Sequence, residues 1–129
     1  MNIPDDLLYT KEHEWALVEG SKARIGITDY AQSHLGDITY IEPPPEGKEV
    51  KRSEALTSVE SVKAASEIYA PFSGKIAQAN ADLESNPEKI NKSPYKDGWI
   101  AVIEIKDESE KSKLMDSKKY REYLESIKE

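Results

Sequence analysis

Val59-Glu60-Ser61-Val62-Lys63-Ala64-Ala65-Ser66 sets a single lysine among small residues, midway between two β-patterned stretches. Before it, Val50, Leu56 and Val59 supply the apolar positions. After it come Ile68, Tyr69, Pro71-Phe72-Ser73-Gly74 and Ile76. This is what a tight turn presenting an exposed amine requires: small residues that bend and leave the approach open, and a long-stemmed lysine at the apex. Residue chemistry alone favours the bland alternative, one exposed lysine among many. The chain from Lys48 to Asn80 is therefore read as β structure that folds back twice.

Outward from this segment the pattern stays mainly β. Trp15, Leu17, Ala23, Ile25 and Ile27 alternate around Glu19-Gly20-Ser21, which predicts a hairpin. Thr28 is placed to cap a two-turn helix running to Leu35, with Gly36 closing it. The strand-like residues 38–41 meet Pro43-Pro44-Pro45, three residues without backbone donors, which predict an extended connection ending near Gly47. Asn86-Pro87 predict the cap and first position of one helical turn that ends at Ser93-Pro94. After Gly98, Trp99, Ala101, Ile103 and Ile105 alternate with Ile100, Val102 and Glu104; apolar residues on both faces predict a central strand. Tyr120, Tyr123, Leu124 and Ile127 fall at spacings of three and four, the apolar face of a helix within a C-terminal helical segment of about 107–129. Asp116 or Ser117 is the expected cap. Such a helix is too short to persist alone, so it is expected to dock on the chain's own sheet. Trp15 and Trp99 are expected core residues. A length of 129 residues without a long linker predicts a single domain over 1–129.

Composition removes several function classes. No apolar run approaches the roughly 20 residues of a membrane helix. The start Met1-Asn2-Ile3-Pro4-Asp5-Asp6 lacks the pattern of a secretory signal, so a cytoplasmic location is expected. Cysteine is absent, which excludes disulfides, zinc-thiolate sites and thiol nucleophiles, and leaves any sulfur chemistry to a cofactor. A net charge of −7 argues against nucleic-acid binding, which needs a clustered basic surface. Residues 106–129 carry seven basic and seven acidic groups, so the whole negative excess lies in residues 1–105. His13-Glu14 lacks a second histidine four positions on, and two histidines without cysteine argue against a metal site. A hydrolase would need a serine elbow or another recognisable site, and none is present.

Tyr9-Thr10-Lys11-Glu12-His13-Glu14-Trp15, Gly26-Ile27-Thr28-Asp29-Tyr30-Ala31-Gln32, Leu35-Gly36-Asp37, Glu60-Ser61-Val62-Lys63-Ala64, Ala70-Pro71, Ser73-Gly74, Asn86-Pro87, Pro94-Tyr95 and Gly98-Trp99 occur in that order. Through them the chain resembles the glycine cleavage H-protein family nearly end to end. The resemblance implies a β sandwich-barrel of the lipoyl/biotinyl type, with short peripheral helices and a C-terminal helix. It implies lipoate in amide linkage on Lys63, within a recognition turn of Glu60, Ser61, Val62 and Ala64. Val62 and Ala64 flank the lysine where biotin carriers place methionines, which argues against biotin.

The same resemblance implies a carrier without catalytic activity of its own. It would shuttle the aminomethyl group of glycine between a pyridoxal-phosphate glycine decarboxylase, a tetrahydrofolate-dependent aminomethyltransferase and a dihydrolipoyl dehydrogenase, after modification by a lipoyl ligase or transferase. In this family the loaded arm rests in a surface cleft, away from water. The matching positions are Glu12, Glu14 and Glu67, with His34 as a further candidate; many members have a small polar residue at the first and aspartate at the last. Attraction between such carboxylates and a cationic amine is about 1 to 4 kcal/mol, depending on the effective dielectric. Pro44, Pro45, Thr57 and Val102 depart from the family pattern. H-like lipoyl carriers also serve lipoyl relay to 2-oxo-acid dehydrogenases and heterodisulfide-reductase-like sulfur oxidation. These roles, and an unmodified interaction domain, are the alternatives at this point.

Overall fold

In the computed structural model, which describes residues 1–127, Gly20 adopts φ +62° and turns β2 (Glu14–Glu19) back onto β3 (Lys22–Ile27), with β1 (Leu8–Tyr9) on the outer edge of β2. This is the expected hairpin, but its apolar residues serve two faces. Ala16 and Val18 pair with Ile25 and Ala23 on one face, whereas Trp15 and Leu17 pair with Gly26 and Arg24 on the other. Both faces are covered, which is why the alternation does not reduce to one buried side.

The helix α1 (Asp29–Leu35) starts as expected, with the Thr28 hydroxyl accepting from Ala31 N–H, and ends at Gly36, φ +81°. β4 (Ile38–Ile41) follows and stops before the proline run. Next come β5 (Glu49–Val50), β6 (Ala55–Ser61), β7 (Ala65–Tyr69) and β8 (Gly74–Ala79). Thr57, one of the departures from the family pattern, donates its hydroxyl to the Glu42 carbonyl at 2.5 Å and so ties β6 to the head of the proline segment.

Two one-turn helices follow: α2 (Asp82–Ser85), which was not expected, and α3 (Lys89–Lys92), the expected turn, which ends at Ser93. Asn86 closes α2 instead of opening α3: its N–H returns to the Asp82 carbonyl and its side-chain amide to the Asp82 carboxylate. The buried Leu83 and Ile90 anchor one turn each, so burial rather than capping sets the register. β9 (Ala101–Ile105) lies between β3 and β8, in the central position expected for it.

All pairings are antiparallel. The strands form a six-stranded sheet, β1-β2-β3-β9-β8-β5, and a three-stranded sheet, β4-β6-β7. Ile25, Ile76 and Ile103 of the first sheet share a buried cluster with Ile41, Val59 and Ile68 of the second, so the sheets pack face to face. A second cluster of Ile3, Leu7, Tyr9, Trp15 and Tyr120 covers the outer face of the larger sheet. There the Trp15 indole lies on Gly26, where a Cβ would come within 2.8 Å of the ring, and its N–H donates to the Pro94 carbonyl at 3.0 Å.

The C-terminal helical segment is split. A 3-10 helix, Glu108–Lys113, ends where Met115 and Tyr9 exchange backbone hydrogen bonds, and α4 (Ser117–Ile127) begins beyond that bridge. Asp116 is the cap, accepting from Lys119 N–H at 2.8 Å, while the Ser117 hydroxyl goes to Asp5. α4 docks on the chain's own sheet as expected, with Tyr120 stacked on Tyr9 at 4.5 Å. The last two positions of the expected segment, 128 and 129, lie outside the described residues. Among those described, no helix is long and apolar enough to cross a membrane.

Candidate functional site

β6 and β7 pair from Ala55↔Tyr69 to Glu60↔Ala65, and Ser61-Val62-Lys63-Ala64 closes the hairpin. The turn is held by the Ser61 N–H to the Ala64 carbonyl at 2.8 Å. The Ser61 hydroxyl oxygen accepts from the N–H groups of Lys63 and Ala64 at 3.3 and 3.1 Å. This is a serine side chain standing in for a backbone turn bond. Val62 is 68% exposed, and Glu60, Lys63 and Ala64 are exposed too. Among the described residues no hydrogen bond or ion pair engages the Lys63 amine. Its stem runs over Gly36, where a Cβ would meet Lys63 Cε at 3.4 Å.

The turn rests on the segment between α1 and β4. Val62 N–H donates to the Asp37 carbonyl at 3.0 Å. Asn91 of α3 holds that segment from below, accepting from Ile38 N–H at 2.8 Å and donating to the Gly36 carbonyl at 2.9 Å and to Gln32 Oε1 at 3.0 Å. Sequence reasoning missed Asn91. Its partners lie 53 to 59 positions away, so no local pattern marks it.

Glu14 opens β2 and is only 2% exposed. Its Oε1 accepts the Thr10 hydroxyl at 2.5 Å and its Oε2 the Tyr69 N–H at 3.2 Å, while its own N–H donates to Thr10 Oγ1. Burial pushes its carboxyl up to about 7, against the opposing pull of the Thr10 and Tyr69 donors. Tyr69 ends the strand that starts beside the lysine turn, so Glu14 lies roughly 13 Å down β7 from Ala65 at the usual rise per residue. A cleft of about 410 Å³ opens here, with Glu12 exposed in its wall. Lys11, Arg52 and Lys113 line it as well, so the cleft is mixed in charge rather than purely acidic. Thr10, which holds both the carboxylate and the backbone of Glu14, is the second residue the sequence did not disclose.

Glu67 and His34 are not brought into this cleft. Glu67 is exposed on β7 and lines a shallow recess with Pro43, Pro44, Pro45 and Thr57. His34 is exposed on α1, donates from Nδ1 to the Tyr30 carbonyl at 3.1 Å, and stacks on the Tyr30 ring at 4.0 Å. The groove it borders contains Met1, Leu124 and Ile127. His13, by contrast, sits next to Glu14 with φ +70°, and its Nδ1 lies 2.8 Å from the Tyr120 hydroxyl. Burial holds the His13 imidazole down to about 4, so it is neutral near pH 7. Among the described residues no cluster of side chains is arranged to hold a metal ion.

The site thus offers an open primary amine at a rigid apex and a buried carboxyl that exchanges a proton near neutrality. Comparison with known proteins gives both a family context. The family model "Glycine cleavage H-protein" matches residues 7–127. The chain is 53% identical over 122 residues to the glycine cleavage system H protein of Bacillus subtilis, covering 95% of this chain and 96% of the relative. It is 51% identical over 123 residues to that of Halalkalibacterium halodurans, with coverage of 95% and 96%. The crystal structure of a glycine cleavage system H protein from Mycobacterium marinum superposes with a TM-score of 0.82 at 32% identity, covering 96% of this chain and 98% of that one.

Proposed function

The chain belongs to the glycine cleavage H-protein family, and from that premise we propose that Lys63 is the residue on which it carries its cofactor. It is a carrier component of the glycine cleavage system, not itself an enzyme, and the cofactor is a covalently attached lipoate. The observation that supports Lys63 is its placement at the apex of the β6–β7 hairpin, with an unengaged amine among the described residues and small, exposed neighbours. An amine in that setting fits acylation: an enzyme reaches it without unfolding a strand, and the Ser61 network holds the apex in place during the approach. When bound, lipoate supplies a dithiolane that opens and is reoxidised, sulfur chemistry for which a chain without cysteine has no group of its own.

Glu14 and Glu12 are proposed to serve the far end of the arm. A buried carboxyl that titrates near 7 ionises readily in response to a cationic amine, and the wall around it limits access of water. Glu67 and His34 do not line this cleft and are given no part in it. The partners proposed are the pyridoxal-phosphate glycine decarboxylase, the tetrahydrofolate-dependent aminomethyltransferase and the dihydrolipoyl dehydrogenase, with a lipoyl ligase or transferase installing the cofactor. We propose the cytoplasm as the place where it meets them. We read the chain as one carrier domain, because the outer cluster joins Ile3 and Leu7 near its start to Tyr120 of its last helix.

The test is intact-mass and peptide mass spectrometry after incubation with lipoate, ATP and a purified lipoyl ligase. One added lipoyl group is expected on the wild-type chain, mapped to Lys63, and none on Lys63→Arg. Equal modification of the variant would transfer the site to another lysine. Glycine-dependent loading of the modified wild type by a purified glycine decarboxylase then tests the partner assignment.

A further inference from the structure

Residues 62–64 are held firmly to their own hairpin but have few ties to the rest of the body. Val62 is exposed, so packing does not fix the apex, and the Ser61 network ties the turn only to its own hairpin. Among the described residues, the Val62 N–H to the Asp37 carbonyl is the hydrogen bond that joins residues 62–64 to the rest of the body. Ile38 pairs with Ser61 beside it, so the position of Lys63 depends on where the segment from Gly36 to Ile38 is held.

Asp37 follows Gly36, whose φ of +81° and ψ of −160° belong to a region open essentially to glycine alone. Glycine backbone is intrinsically loose, so this connection needs an external restraint. Asn91 supplies it on both sides of Asp37, taking the Gly36 carbonyl before it and the Ile38 N–H after it. The chemistry of these partners also fixes the carboxamide orientation, since a carbonyl only accepts and an N–H only donates. Gln32 takes the remaining amide hydrogen of Asn91.

The restraint has a firm base. Asn91 follows Ile90, which is fully buried. The backbone of α3 lies directly on Gly98, where a Cβ would come within 2.8 Å of Ile90 Cα and of the Lys89 and Ser93 carbonyls. A continuous path therefore runs from the core through Ile90 and Asn91 to Gly36 and Ile38, then through the Asp37 carbonyl to Val62 and the lysine.

We infer that Asn91 is a positioning residue for lipoylation, setting the apex that the modifying enzyme must bind. This rests on Lys63 being the attachment site. Asn91 touches neither lysine nor cofactor, so its loss should weaken recognition of the apo-protein and leave the acylation step intact. An apex loosened by that loss must be ordered again when the enzyme binds, and that cost appears in KM.

The experiment uses the full chain as wild type, Asn91→Ala and Asn91→Asp. Aspartate keeps the acceptor for Ile38 N–H and loses both donors, and it serves as the second variant if alanine prevents folding. Two quantities are read: amide hydrogen exchange at Val62, and KM and kcat for a purified lipoyl ligase with lipoate and ATP. Loss of the Gly36 and Gln32 bonds is expected to speed Val62 exchange about tenfold and to raise KM by about three- to tenfold, with kcat unchanged. Amides in the β3–β9 ladder, such as Ile103, should keep wild-type protection. Wild-type protection at Val62 together with an unchanged KM overturns the inference. So does equal loss of protection across the β3–β9 ladder, which would make Asn91 a general contributor to stability. Failure of the underlying reading looks different: wild-type protein would then be modified at a lysine other than 63, whatever stands at position 91.

Discussion

Opposing influences meet at Glu14. Removal from water raises its carboxyl to about 7, and the Thr10 hydroxyl and Tyr69 N–H keep it from rising further. Thr10→Val deletes one of those donors and leaves the volume almost unchanged. The Glu14 midpoint, followed by carbon-detected NMR of its carboxyl, should then move upward from about 7, because the neutral form gains relative to the anion. A midpoint that stays in place would remove Thr10 from the control of this group. The exposed turn that holds Lys63 was legible because small residues between two β-patterned stretches leave a local pattern, whereas only the family resemblance set this lysine apart from other exposed lysines. The burial of Glu14 was not legible. A carboxylate at the head of a strand reads as surface until it is known that the neighbouring Trp15 faces a second core, which turns Glu14, with Ala16, toward the first core between the sheets.

The elements follow the same division between local and distant information. The stripe of Tyr120, Tyr123, Leu124 and Ile127 was readable because helical spacing is local, and docking of α4 on the sheet followed from its shortness. The partners of the Tyr120 hydroxyl were not readable. Thr28 Oγ1 and His13 Nδ1, each 2.8 Å away, lie 92 and 107 positions off in sequence. α2 and α3 show the converse, a local capping rule at Asn86 overridden by the burial of Leu83 and Ile90. Tyr120 joins the cap of α1, the bend before β2 and the terminal helix at one oxygen. Tyr120→Phe preserves the stack on Tyr9 and removes that oxygen, leaving a buried threonine hydroxyl and a half-buried imidazole short of a partner. A loss of about 1 to 2 kcal/mol is expected, measured as a lower urea midpoint at constant m-value. An unchanged midpoint would mean that the Tyr120 hydroxyl contributes nothing to holding α4.

Across the whole molecule, two adjacent residues give the folded state opposite responses to pH. Glu14 is raised from its ordinary 4.5 to about 7, so between those values the folded chain keeps a proton that the unfolded chain has released. Its stabilising effect is complete below 4.5 and is lost as pH rises through 7, with a total of at most about 3 kcal/mol. His13 is lowered from 6.5 to about 4, chiefly by burial and secondarily by the charge of His34. There the unfolded chain binds the proton first, so stability is complete above 6.5 and declines as pH falls toward 4. Asp5, Asp82 and Asp107, all held below their ordinary 3.8 by hydrogen bonds, titrate beneath this window and do not disturb it. From pH 4.5 to 6.5 the two slopes oppose each other, and the stability of the wild-type chain should be nearly level there. Glu14→Gln should expose the histidine slope, with stability rising over that interval. His13→Gln should expose the carboxyl slope, with stability falling from 4.5 to about 7. Denaturant unfolding of the three proteins at intervals of half a pH unit decides the matter. Variant curves that run parallel to the wild type would show that neither group titrates differently in the folded chain, and crossing curves would establish both shifts together.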